Sequence, residues 1–220
     1  MRAKQAKITP ALRFDRLTPL YDPIVRYTTR ERLFKSMLVD EAAVERGESV
    51  LDVGCGTGTL LQAIAEKESA VQLTGLDADA AILAIADRKL AAAGTACNLV
   101  LGRSTNMGFD DATFDRVVSS LFFHHLVTAD KQATIAEITR VLKPGGAAVV
   151  ADWGRPTGPI QRLAFYQIQL LDGFASTRGH VAGELTSLFC EAGFQSADEI
   201  AYLRTIFGTL RFIRAVKRAT

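Results

Sequence analysis

The stretch Ser49–Leu60, SVLDVGCGTGTL, sets Gly54, Gly56 and Gly58 directly behind an apolar run that ends in Asp52 and Val53. A short apolar run bounded by turn residues reads as a buried strand. The TLLQAIAEK that follows places Leu60, Leu61 and Ile64 at helical spacing. Strand, bare turn and helix form the opening unit of an open parallel sheet, whose ligands bind beyond the carboxyl ends of the strands. Glycine permits positive φ and lets backbone approach a ligand with no Cβ in the way. The first turn of the helix directs free N–H groups to the same place.

The pattern repeats along the chain. VQLTGLD reads as a second strand. ADAAILAIADRKLAAAG reads as a helix, with Asp79 placed to cap its start and Gly94 to end it. CNLVLG and FDRVVSSL read as strands three and four, TADKQATIAEITRVL as a helix stopped by Pro144, Gly145 and Gly146, and AAVVADW as strand five. Nearly continuous apolar strands separated by helices predict a mostly parallel sheet covered on both faces. GELTSLFCEAGF reads as a helix closed by Gly193. DEIAYLRTIFGTLRFIRAVKR offers two apolar runs around Gly208, which a tight turn makes antiparallel neighbours. The expected architecture is therefore α/β, with an antiparallel strand added at the C-terminal edge. Upstream, FDRLTPLYDPIVRYTTRERLFKSMLVDEAAV is amphipathic and broken near Pro19 and Pro23. Residues 1–47 read as an N-terminal helical lid segment and residues 48–220 as the ligand-binding domain, a single domain overall. WGRPTGPIQRLAFYQIQLLDGFAS is an insertion and a second candidate lid.

Composition bounds the function. The 220 residues suffice for one full core, and a formal charge of +2 is too small to imply a nucleic-acid partner. The basic residues after Glu199 (Arg204, Arg211, Arg214, Lys217 and Arg218) read as a solvated final strand. Three cysteines, Cys55, Cys97 and Cys190, form no CxxC pair, which argues against a disulfide framework or a metal site and fits a reducing compartment. The first ten residues lack the apolar core of a secretory signal, and no apolar run approaches a membrane span; a soluble, cytoplasmic protein is expected.

Asp77 closes the second strand nineteen residues beyond Gly58. A carboxylate there can accept both hydroxyls of a ribose, so loop and acid together read as an adenosine-type nucleotide site. The dinucleotide fingerprint is G-x-G-x-x-G; here the spacing is G-x-G-x-G, preceded by Asp52. An acid beside the loop would repel a pyrophosphate and would suit a ligand with an ammonium group and no phosphate. S-adenosylmethionine, with adenosine, sulfonium and α-ammonium, meets that description.

VLDVGCGTGTL, LTGLDAD, FDRVVSSLFFHHL and ITRVLKPGGAAVVADW resemble, in order and spacing, the motifs of class I S-adenosylmethionine-dependent methyltransferases. The likeness is strong from Ser49 to Trp153 and looser through the C-terminal helix and strand pair. RVLKPGG and FDRLTPLYD are similar to the small-molecule branch of the ubiquinone and menaquinone biosynthesis enzymes. The resemblance implies a Rossmann-like, doubly wound, seven-stranded sheet with N-terminal lid helices. It also implies methyl transfer to a small, partly apolar acceptor, S-adenosylhomocysteine as product, and a monomer or homodimer with no nucleic-acid partner. Asp52 would contact the methionine ammonium, and Gly54, Cys55 and Gly56 would line methionine and ribose, with Gly58 completing the loop. Asp77 would hold the ribose, Ala78 would pack on adenine, Ser119, Ser120 and Leu121 would flank the methionyl group, and Tyr21 would close over the cofactor.

The sequence departs from that branch twice. After strand three it reads LGRSTNMGF, with Arg103 where an adenine-accepting aspartate is expected. Arginine has no acceptor, so either Ser104 or Thr105 supplies one or Arg103 stacks on the ring. After strand four it reads FFHHL, with His124 and His125 where quinone-ring enzymes carry arginine and asparagine. This favours a wider small-molecule reading over a quinone-precursor C-methyltransferase, and a non-catalytic cofactor-binding module on the same fold is a third reading. His124 and His125 are the candidate bases, of which adjacency lets only one face a pocket; the alternative is that one packs and the other shapes the wall. Asp152 either binds substrate or caps the insertion, and His180 reads as a helix start. Phe122, Phe123, Trp153, Phe165, Tyr166 and Phe174 are candidates for an apolar pocket, two or three of them at most. An acid or asparagine followed by two prolines, the mark of base-amino methylation, is absent after strand four.

Overall fold

The computed structural model describes residues 30–219. Its strands are β1 (Ser49–Val53), β2 (Gln72–Asp77), β3 (Asn98–Leu101), β4 (Phe114–Ser120), β5 (Leu142–Trp153), β6 (Ser196–Thr205) and β7 (Gly208–Val216). Its helices are α1 (Glu31–Ala42), α2 (Thr59–Lys67), α3 (Ala80–Ala92), α4 (Thr128–Val141), α5 (Pro159–Asp172), α6 (Phe174–Ala182) and α7 (Glu184–Glu191), and a short 3-10 turn spans Phe123–His125. The strands form one sheet in the order β3-β2-β1-β4-β5-β7-β6. β1 pairs in parallel with both β2 and β4. Successive crossovers therefore run outward in opposite directions from β1, and the loop after β1 opens at the point where strand order reverses.

Local chemistry agrees with these boundaries. Asp79 caps α3, its Oδ1 accepting the N–H groups of Ala81 at 2.8 Å and Ile82 at 3.3 Å. α4 stops before Pro144, as the proline ring requires, but no loop separates it from the next strand. The expectation that strand five begins at Ala147 is corrected: β5 starts at Leu142, which pairs with Phe114, and the register then jumps to Arg116 opposite Ala147. The turn residues Lys143–Gly146 bulge from a strand already begun. β7 runs antiparallel to β5 and to β6, so the antiparallel strand lies one place inside the edge, and β6 forms the edge.

Apolar residues fill both faces of the sheet. Phe34 and Leu38 of α1, Leu60, Leu61 and Ile64 of α2, and Phe165 of α5 pack on one face with Trp153. Ile135 and Ile138 of α4, Leu185, Leu188 and Phe189 of α7, and Phe123 pack on the other. α1 falls within the segment read as a lid, and its Phe34, Leu38, Val39 and Ala42 are buried in the core. Tyr21 lies outside the described residues. The insertion after β5 forms α5 and α6, and α6 packs beside the Phe123–His125 turn and α7.

Candidate functional site

The glycine loop occupies the carboxyl end of β1. Gly54 and Gly56 both hold positive φ, 73° and 53°. They serve different ends. A Cβ on Gly54 would lie 2.2 Å from Cδ2 of Phe122, so this glycine lets the turn after β4 close onto the loop; a Cβ on Gly56 would meet nothing within 4 Å. Gly58 begins α2 and packs on Leu90 of α3. The loop is thus locked on both flanks and open in the middle. The Cys55 thiol is buried and unoxidised, and burial followed by the charges of Asp52 and Asp77 pushes its pKa up, which makes it an inert thiol.

Two carboxylates face this loop. Asp77 Oδ2 accepts the Gly56 N–H at 2.9 Å, and Oδ1 accepts the Asp79 N–H at 3.0 Å. A carboxylate offers about four lone-pair sites, so Asp77 fixes the loop and keeps capacity for two hydroxyls. Asp52 is 1% exposed, and neither of its oxygens has a hydrogen-bond partner. Burial raises its pKa to about 7; Lys35 of α1 pulls it down and Asp77 pushes it up. An orphaned buried carboxylate beside an open cradle fits an ammonium-bearing ligand: the cation would supply what the fold withholds. Ala78 is exposed just beyond Asp77. Arg103 is exposed and bridges to Asn106, while the Ser104 hydroxyl shares a 2.8 Å hydrogen bond with Thr134 of α4.

A second cluster sits at the ends of β4 and β5. Ser119 donates to the Val53 carbonyl at 2.7 Å, tying β4 to β1, and half-buried Ser120 follows it. Leu121 adopts φ 52°, uncommon for a residue with a side chain, and its N–H reaches the Ala151 carbonyl. The chain then folds over Asp152, which is fully enclosed. Asp152 Oδ2 accepts the N–H groups of Phe122 at 3.1 Å and His124 at 3.3 Å. Its Oδ1 accepts the Trp153 N–H at 2.7 Å and lies 2.8 Å from His124 Nδ1. Burial alone would raise the Asp152 pKa, but His124 and the other donors outweigh it and hold the group ionised, well below the usual range. An ionised carboxylate only accepts, so Nδ1 of His124 carries the proton and Nε2 is its basic atom.

All three histidines of the chain meet here. The rings of His124 and His125 lie 3.9 Å apart and those of His124 and His180 6.4 Å apart. His124 is buried and His125 exposed, as adjacency requires. Lost hydration first, then the neighbouring His124, lower the His125 pKa to about 3 and keep it neutral. His180 is no helix start. It lies within α6, and its Nδ1 donates to the Trp153 carbonyl at 2.6 Å. Its buried Nε2 has no partner, and burial lowers its pKa. Lys131 of α4 is buried nearby, donating to the Ser176 carbonyl at 2.9 Å; burial lowers its pKa against the pull of Glu184 and Asp152.

Sequence reasoning left Asp152 open between two roles and missed Lys35 and Lys131 altogether. The signal for Asp152 was its place at the end of a strand that opens on the ligand edge. The lysines carried none, since a lysine on an amphipathic helix ordinarily reads as solvated. Of the candidate pocket aromatics, Phe123, Trp153 and Phe165 are core, Tyr166 and Phe174 are exposed, and half-buried Phe122 alone lies against the glycine loop.

Among the described residues no group of histidine, cysteine and carboxylate side chains could hold a metal, and no helix is long and apolar enough to cross a membrane. Residues 50–146 match a methyltransferase domain. The chain is 28% identical over 210 residues to the chloroplastic 2-phytyl-1,4-beta-naphthoquinone methyltransferase of Arabidopsis thaliana, covering 84% of this chain and 79% of that one. It is 32% identical over 163 residues to the 2-phytyl-1,4-naphtoquinone methyltransferase of Synechococcus elongatus, covering 71% and 68%. A SAM-dependent methyltransferase from Methanosarcina mazei superposes with a TM-score of 0.66 at 20% identity over 83% of this chain and 98% of that structure, a likeness of fold. Motif order, sheet topology and these relatives agree: the chain belongs to the S-adenosylmethionine-dependent methyltransferases.

Proposed function

We propose that this enzyme binds S-adenosylmethionine across β1 and β2 and methylates a small, partly apolar acceptor that must lose a proton, such as an aromatic or enolic hydroxyl compound. The His124–Asp152 pair is the observation that carries this reading. In the proposed site Asp52 holds the α-ammonium, Asp77 the ribose hydroxyls, and the backbone of Gly54, Cys55 and Gly56 lines the bound molecule. Ala78, Arg103 and Ser104 border the adenine end, and Ser120 and Leu121 the methionyl end. When bound, the cofactor supplies an electrophilic methyl group on a sulfonium and leaves as S-adenosylhomocysteine.

The protein's work is to hold the acceptor and manage its proton. Positioning alone can contribute about 7–11 kcal/mol toward such a displacement. Asp152 orients the His124 ring and stabilises its protonated form, so that Nε2 can take the acceptor's proton as its nucleophilicity is needed. His125, held neutral at the exposed rim, borders the acceptor, and its low pKa makes it the weaker of the two candidate bases.

The relatives named as naphthoquinone methyltransferases favour a second reading, carbon methylation of a quinone precursor. It shares the requirement for an ionised hydroxyl, because a reduced ring is nucleophilic at carbon only when electron-rich. A radiolabelled methyl-transfer screen over phenols, catechols, reduced naphthoquinones and amines tests both readings. His124→Gln is expected to lower kcat about a hundredfold or more with cofactor affinity unchanged, and to remove the acid limb of the pH–rate profile. Full turnover by that variant on a hydroxyl acceptor, or transfer to amines alone, refutes the assignment of His124 as base.

A further inference from the structure

α5 carries apolar residues on its outer face as well as on the inner face that packs Phe165 and Ile168 against the core. Ile160, Leu163, Tyr166 and Leu170 recur at spacings of three and four and are exposed, by 77%, 71%, 42% and 75% respectively. Phe174 at the start of α6 continues the stripe, and Ile206 in the β6–β7 turn is exposed as well. The opposite face of α5 buries Phe165 together with a polar residue, Gln169, which accepts from Arg162 Nη1 at 2.9 Å and donates to the buried Thr177. A helix that only bridges protein and water carries its leucines inward and leaves a polar outer face. The hairpin turn belongs to the same region: Phe165 lies against Gly208, and Arg204 of β6 donates to Thr157, just ahead of α5.

Charge decides what covers this face. From Gly154 to Gly183 the sequence carries Arg155, Arg162 and Arg178 against the single acid Asp172. Arg155, Arg178 and Arg204 are exposed, and the Arg162 guanidinium stacks 4.2 Å from the centre of the Tyr166 ring. A two-fold contact between copies would set this cationic rim against itself. Residues 1–29 carry six arginines and lysines against two aspartates, a charge of the same sign as this rim. An exposed apolar stripe with an aromatic residue and a cationic border matches a helix lying in the interface of an anionic bilayer. We infer that the outer face of α5, continued by Phe174 and Ile206, docks the enzyme on anionic lipid.

The inference does not depend on which acceptor is methylated, and its test needs no turnover. The full chain is sedimented with vesicles of phosphatidylcholine alone and of phosphatidylcholine with phosphatidylglycerol, at low and high sodium chloride. Binding to the anionic vesicles, weakened by salt, is expected. The double variant Leu163→Gln, Leu170→Gln is expected to lose about tenfold or more in partitioning, with its melting temperature within a degree or two of the parent because both side chains are already in water. Arg155→Gln combined with Arg178→Gln should weaken binding to anionic vesicles alone. Equal binding by parent and leucine variant overturns the inference by moving the contact elsewhere. No binding to either vesicle also overturns it; a parent that then dimerises in sedimentation velocity, where the leucine variant does not, assigns the face to a second copy.

Discussion

Asp52 and Asp152 are both enclosed carboxylates at strand ends, and their surroundings drive them in opposite directions. Asp152 accepts from three backbone N–H groups and a histidine and stays ionised. Asp52 accepts from nothing, and burial lifts its pKa to about 7. Between pH about 4 and 7 the folded chain holds a proton on Asp52 that the unfolded chain releases, so this group's contribution to stability falls as pH rises through that window. Asp52→Asn removes the burden of the buried charge. Its melting temperature is expected to exceed the parent's increasingly from pH 5 to pH 8, by about 2–4 °C for each kcal/mol relieved. The same variant is expected to bind S-adenosylmethionine at least about tenfold more weakly, because a charge-assisted contact is lost. The parent's affinity should rise from pH 5 to 7 and level off above, with proton release on binding visible in calorimetry across buffers of different ionisation enthalpy. An affinity independent of pH, or an Asp52→Asn variant that is less stable and binds normally, would contradict the role assigned to this carboxylate.

The glycine loop and the turn after β4 act as a pair, and their substitutions should separate stability from binding. Gly54→Ala places a methyl into the Phe122 ring at positive φ and is expected to cost about 2–4 kcal/mol, read as a lower thermal midpoint. Gly56→Ala meets open space, so only the left-handed backbone penalty of about 1–2 kcal/mol applies, while the methyl enters the cradle and weakens cofactor binding. Sequence alone identified both glycines, because strand–turn–helix patterning is local. It could not say that Phe122 is what Gly54 accommodates, since that contact joins residues far apart in the chain. The start of β5 is hidden in the sequence for a related reason. Pro144 and the glycines mark a turn, and only pairing with Phe114 reveals that the strand has already begun at Leu142. Likewise, neither the spacing of FFHHL nor the isolated His180 indicates that Asp152 gathers all three rings; strand order brings the end of β5 beside the end of β4.

Across the molecule, one topological fact accounts for both clusters. Because strand order reverses at β1, the ends of β1 and β2 carry Asp52, Asp77 and the open loop, while the adjacent ends of β4 and β5 carry the histidines and Asp152. In the proposed site a cofactor half and an acceptor half therefore lie side by side, as transfer between two bound molecules requires. The alternating pattern made the mostly parallel sheet legible, and the apolar outer face of α5 was not, since outward and inward leucines read alike in sequence. The cradle is expected to select a phosphate-free, ammonium-bearing adenosine. Calorimetric titration of the protein with S-adenosylmethionine, S-adenosylhomocysteine and NAD in parallel tests it most directly. Saturable binding of the first two and none of NAD is expected. Binding of NAD, or of none of the three, would contradict it.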